Sequence, residues 1–135
     1  MTKVSHEGGC LCGAVRYRVG GTPSFSVICH CASCRRASGA PTVAWLTFER
    51  QNFEILVGKP ATFRSSPGVI RQFCASCGSA LTYETDKTPV SIDVTTATLD
   101  EPGEFPPTME VWLADQLRWQ PTDPKLEQFR GSSSG

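Results

Sequence analysis

Seven cysteines in three tight groups constrain this chain more than any other feature. Cys10 and Cys12 lie in "GGCLCGAVRY", Cys29, Cys31 and Cys34 in "CHCASC", and Cys74 and Cys77 in "FCASCGSALTY". An odd number cannot pair completely within one chain. The N-terminus "MTKVSHEGG" lacks the apolar centre of a signal peptide, and no apolar run approaches the roughly 20 residues that span a bilayer. The expected compartment is therefore the cytosol, where clustered thiols serve metals or redox chemistry rather than disulfides.

A Cys-x-x-Cys turn followed by glycine, as at Cys77 and Gly78, suits a metal knuckle. Two thiolates point into one coordination sphere, and the glycine accepts a positive φ. Gly9 and Gly13 allow the tighter Cys-x-Cys to bend similarly. Zinc is the expected ion, because thiolate-rich tetrahedral sites select it, although iron in a sulfur site has the same donors.

Seven ligands do not divide into two closed four-sulfur sites. One partition closes Cys10, Cys12, Cys74 and Cys77 around a structural zinc and leaves Cys29, Cys31 and Cys34 for a second ion. The other joins Cys31, Cys34, Cys74 and Cys77 as a ribbon. Spacing permits both, as it does one structural zinc with three idle thiols; locality favours the first. Four thiolates saturate tetrahedral zinc, whereas three leave a position for water or substrate. Three thiolates on a dication carry a formal charge of about −1, which makes a poor hydroxide generator but a good acceptor for an incoming thiolate. Arg35 and Arg36 follow directly and can offset that charge or bind a carboxylate.

Elsewhere short β-branched and aromatic runs recur between Gly and Pro: 14–19, 42–48, 53–58, 68–74, 80–84, 90–96 and 109–114. In 14–19 apolar and basic residues alternate, as in a half-exposed strand. The run 42–48 connects to 53–58 through "ERQN". Helical signal is confined to a short turn over 31–38, closed by Gly39. The pattern predicts one all-β domain of packed antiparallel sheets over residues 1–129, followed by a flexible tail, 130–135. Thirteen Lys plus Arg balance thirteen Asp plus Glu, and no basic stripe with interleaved aromatics is present, so neither nucleic acid nor a membrane is an expected partner. Oligomeric state has no signature here.

In this order, "GGCLCGAVRY", "CHCASCRRASGAP", "FCASCGSALTY" and, more loosely, "PTMEVWLADQLRWQ" resemble the family of the glutathione-dependent formaldehyde-activating enzyme, whose domain also occurs in centromere protein V. The resemblance covers residues 7–129. It implies an Mss4-like all-β fold and favours the first partition, with Cys10, Cys12, Cys74 and Cys77 structural and Cys29, Cys31 and Cys34 on a catalytic-type zinc. The activity it implies is a carbon–sulfur lyase that reversibly adds glutathione, as co-substrate, to formaldehyde or a similar small electrophile. A non-catalytic zinc-stabilised binding module is the alternative. A methionine-sulfoxide-reductase type of chemistry needs a late nucleophilic cysteine, and none follows Cys77. Family members often carry a histidine near the final strand where this chain has Glu110.

The remaining candidates have plainer readings. His30, between two ligands, is expected to face solvent or to support the site rather than ligate. His6 lies near a mobile end, Trp45, Trp112 and Trp119 pack the core or rim, and Ser38 caps or turns the chain.

Overall fold

A computed structural model describes residues 4–133. Its strands are β1 Ser5–Gly9, β2 Arg16–Gly20, β3 Phe25–Cys29, β4 Val43–Glu49, β5 Phe53–Val57, β6 Ala61–Ser66, β7 Val69–Phe73, β8 Ala80–Thr85, β9 Ser91–Thr95, β10 Met109–Val111 and β11 Glu127–Gln128. One helix, α1, spans Ala32–Ser38. The strands form a three-stranded sheet, β1-β2-β5, and an eight-stranded sheet, β11-β10-β3-β4-β9-β8-β7-β6.

Period-two alternation explains how the sheets meet. In β2, Tyr17 and Val19 point inward while Arg16 and Arg18 face out, where they pair with Asp100 and Glu54. In β4, Leu46 and Phe48 join Tyr17, Val19, Phe53, Ile92 and Val94 in a core between the two sheets. Full burial of each of these large side chains contributes roughly 1.5–3 kcal/mol. The opposite residues of β4, Val43 and Trp45, face a second cluster with Cys29, Cys34 and Val111 on the other side of the large sheet. A bulge in β8 lets Leu81 join the first core while Tyr83 faces the second, which strict alternation would forbid.

The expected strands at 14–19, 42–48, 53–58, 68–74, 80–84 and 90–96 all form, and "ERQN" joins the second to the third. It becomes a 3₁₀ turn, Arg50–Asn52, that carries the chain from the large sheet to the small one, where β5 pairs with β2. The sheets are not wholly antiparallel. β10 runs parallel to β3 and to β11. Parallel neighbours need a long crossover, and residues 96–108 supply it by passing under β1, where Leu99 bridges Gly8 and the Asp100 N–H bonds the Glu7 carbonyl. The run 109–114 is a strand only as far as Val111. Trp112 adopts a left-handed backbone (φ 59°), and a 3₁₀ turn, Leu113–Asp115, follows.

Two ends are more ordered than their sequences suggest. His6 lies in β1, edge-on to the Phe105 ring at 4.8 Å, rather than at a mobile terminus. Of the tail read as flexible, Arg130 and Gly131 accept backbone hydrogen bonds from Ala114 and Trp112, so this part is tied down. Residues 134 and 135 lie outside the described residues.

Candidate metal centres and the adjoining cavity

The hairpin turn between β1 and β2 carries Cys10 and Cys12, and the turn between β7 and β8 carries Cys74 and Cys77. Gly13 (φ 81°) and Gly78 (φ 80°) close these turns, their N–H groups bonding the carbonyls of Cys10 and Cys74. A side chain with Cβ would be strained at either position. The two turns therefore bring four sulfurs from different sheets together, all within 4.8 Å of one another. The Cys10–Cys12 and Cys12–Cys74 sulfur separations are 3.7 and 3.8 Å. A tetrahedron with Zn–S bonds of about 2.3 Å has edges of about 3.8 Å, whereas a disulfide would need about 2.05 Å.

Backbone amides complete the group. The N–H of Val15 donates to Cys10 Sγ at 3.3 Å, and those of Ser76 and Cys77 donate to Cys74 Sγ at 3.3 and 3.4 Å. Cys77 is drawn down to about 5 by the Ser79 hydroxyl, 3.1 Å away, and by that residue's N–H. Such donors favour thiolates, the form that binds metal. The donor set fits a closed structural zinc.

Cys29 ends β3, Cys31 caps α1 and Cys34 sits in its first turn. The cap is itself an N–H to sulfur bond, Cys34 N to Cys31 Sγ at 3.3 Å. These three sulfurs form a second group within 4.8 Å, apart from the first, so the ribbon partition does not occur. Hydrogen bonds from Cys29 and Cys34 hold Cys31 down at about 2, and those with Cys31 and Cys34, together with burial, push Cys29 well above the ordinary thiol range. Three thiolates this close and this buried repel one another unless a cation lies among them. This donor set also fits zinc, with three protein ligands rather than four. All seven cysteines are free thiols.

A cavity of about 420 Å³ opens beside the triad, lined in part by Phe25, Trp45, Tyr83, Arg71, Asp93 and Trp112. Its floor follows the register of the large sheet. Phe25 pairs with Thr47, Thr47 with Asp93, Asp93 with Tyr83 and Tyr83 with Arg71, one row across five strands. The Arg71 guanidinium, buried to 9 % exposure, places Nη1 and Nη2 at 3.7 and 3.6 Å from Cys34 Sγ. Nε donates to Ser65, and the group lies 5.0 Å over the Tyr83 ring.

Arg35 and Arg36 do not line the cavity. The cation against the sulfurs is Arg71, which sequence reasoning missed. Its only signal was a lone basic residue on the apolar face of "VIRQF". Trp45 and Trp112 line the cavity instead of merely packing, whereas Trp119 is 70 % exposed. Ser38 does cap the helix end, its hydroxyl donating to the Cys34 carbonyl at 2.9 Å. His30 does not face solvent. It is buried, and its Nε2 is hydrogen-bonded at 2.7 Å to Glu110 Oε1, while Glu110 Oε2 accepts from the Asp123 N–H at 2.7 Å. Glu110 is therefore a buried strut behind the triad rather than a wall of the cavity.

Two sheets brought together at their hairpin turns by a group of four cysteines, with a second group of three beside a cavity, define an all-β protein whose two cysteine groups could each hold a metal ion. The chain belongs to the family described as glutathione-dependent formaldehyde-activating enzyme, whose model matches residues 5–115. A protein of Rhodobacter sphaeroides solved by crystallography shares the fold, with a TM-score of 0.61 and 19% identity over 91% of this chain and 98% of that one. No functionally curated protein matches. Among the described residues no helix is long and apolar enough to cross a membrane.

Proposed function

We propose that this protein is a zinc-dependent carbon–sulfur lyase that reversibly joins glutathione to formaldehyde or a similarly small electrophile. The observation that carries the reading is the cavity beside Cys29, Cys31 and Cys34, with Arg71 against Cys34. A purely structural clip needs only the closed group of Cys10, Cys12, Cys74 and Cys77. Membership of the family supports the same substrate class. The reducing cytosol, which keeps the seven thiols free, is the compartment the reading requires.

Zinc held by Cys29, Cys31 and Cys34 supplies Lewis acidity at a position that three protein ligands leave free. The chain's own residues supply the rest. The Arg71 guanidinium, against Cys34 Sγ, offsets the negative charge of three thiolates, so a fourth sulfur is less strongly repelled. Trp45, Tyr83 and Phe25 give the cavity apolar walls that displace water and hold the thiol beside the aldehyde. In the forward direction a C–S bond forms, the C=O π bond breaks, and the proton lost by the thiol ends on the new hydroxyl; reversal is the lyase step.

Exchange of formaldehyde with glutathione, followed by NMR, tests this. The wild type should accelerate exchange, and Cys31→Ser should fall to the uncatalysed rate while keeping its fold. No acceleration by a two-zinc wild type would leave a binding module.

A further inference from the structure

Asp93 is a half-buried carboxylate that lines the cavity. It stands on β9 in the middle of the cavity floor, and its hydrogen-bond donor among the described residues is the Thr47 hydroxyl, 2.7 Å from Oδ1. Among the described residues no ion pair reaches it, and Arg71, the cation on the same floor, is engaged by Cys34, Ser65 and Tyr83. A carboxylate taken out of water without a counter-charge is costly. Burial accordingly raises this acid to about 6, against a smaller opposing effect of the Thr47 bond.

Its carboxylate is not among the side-chain atoms that lie within 4.8 Å of one another at the triad. Asp93 shares its row with Phe25, four residues before Cys29 on β3, and β4 separates β3 from β9. The carboxylate therefore meets a part of the ligand remote from the sulfur. The group it would welcome is a cation, since an anion would be repelled and a neutral group would leave the charge uncompensated.

We infer that Asp93, oriented by Thr47, recognises a protonated amine at the far end of the thiol substrate, so that the cavity selects thiols carrying both a sulfur and a remote ammonium group. This rests on the thiol reading above and narrows it. A free amino terminus on a short peptide thiol has the required chemistry, and an N-acylated one does not.

The test is calorimetric titration of the zinc-loaded protein with glutathione and with N-acetylglutathione, for wild type and Asp93→Asn. The wild type should bind glutathione at least tenfold more tightly than its acetylated form. Asp93→Asn should lose that preference, weakening glutathione about tenfold and leaving N-acetylglutathione within twofold. Equal binding of both ligands by the wild type would overturn the role of Asp93 while leaving the thiol site intact. A preference that survives in Asp93→Asn would also overturn it. Binding of neither by the wild type would sink the thiol reading and this inference together.

Discussion

Asp93 and the His30–Glu110 pair illustrate opposite uses of polar side chains held away from bulk water. The Asp93 carboxyl, at about 6 against a reference of 3.8, holds its proton more tightly folded than unfolded. The stability linked to that proton is fully present below about pH 3.8 and is lost as pH rises through about 6. The groups facing it are Thr47 from β4 and Tyr83 from β8, with Arg71 beyond, and none forms an ion pair with it. Asp93→Asn should therefore match the wild type near pH 4 and exceed it by about 2 kcal/mol at pH 7.5, read from urea denaturation at both values. Greater stability in a variant that has lost ligand discrimination is the usual signature of a binding residue. Glu110 behaves otherwise. Glu110→Ala strands His30 and the Asp123 N–H without partners and should cost about 2–4 kcal/mol by the same measurement. Zinc content should be retained, because Glu110 lies among neither group of ligands.

At the scale of elements, α1 is too short to persist alone and depends on its ends. Gly39 terminates it at φ 71°, with its N–H on the Arg35 carbonyl at 2.8 Å. Gly39→Ala should destabilise by about 1 kcal/mol and weaken zinc retention at the triad, because Cys34 rides on this helix; a melt paired with chelator competition reads both. The cysteine groups were legible in the sequence because each turn is local: Gly13 and Gly78 mark two of them, and three cysteines crowd the third. The cavity was not legible. Its floor joins Thr47 to Asp93 and Tyr83 to Arg71 through strand register, and no local pattern fixes register between strands so distant in the chain. In "VSIDVTT" the polar residues alternate with Ile92 and Val94 like a solvent face, yet that face is the cavity. β3 was hidden inside the cysteine motif, and the parallel pairing of β10 follows from a crossover that spacing does not encode.

At the scale of the molecule, the two centres play unequal parts. The closed group ties the β1–β2 turn of one sheet to the β7–β8 turn of the other, so removing its metal should loosen the packing between sheets and with it the shared core of Tyr17, Leu46 and Phe48. The open group lies on the far face of the large sheet, and its loss should leave that core intact. The central claim is therefore two separable metal sites, one closed and one open. Elemental analysis of zinc per chain, on wild type and on Cys31→Ser, tests it most directly. Two zincs in the wild type and one in a folded Cys31→Ser are the predicted result; one zinc in both proteins would contradict it.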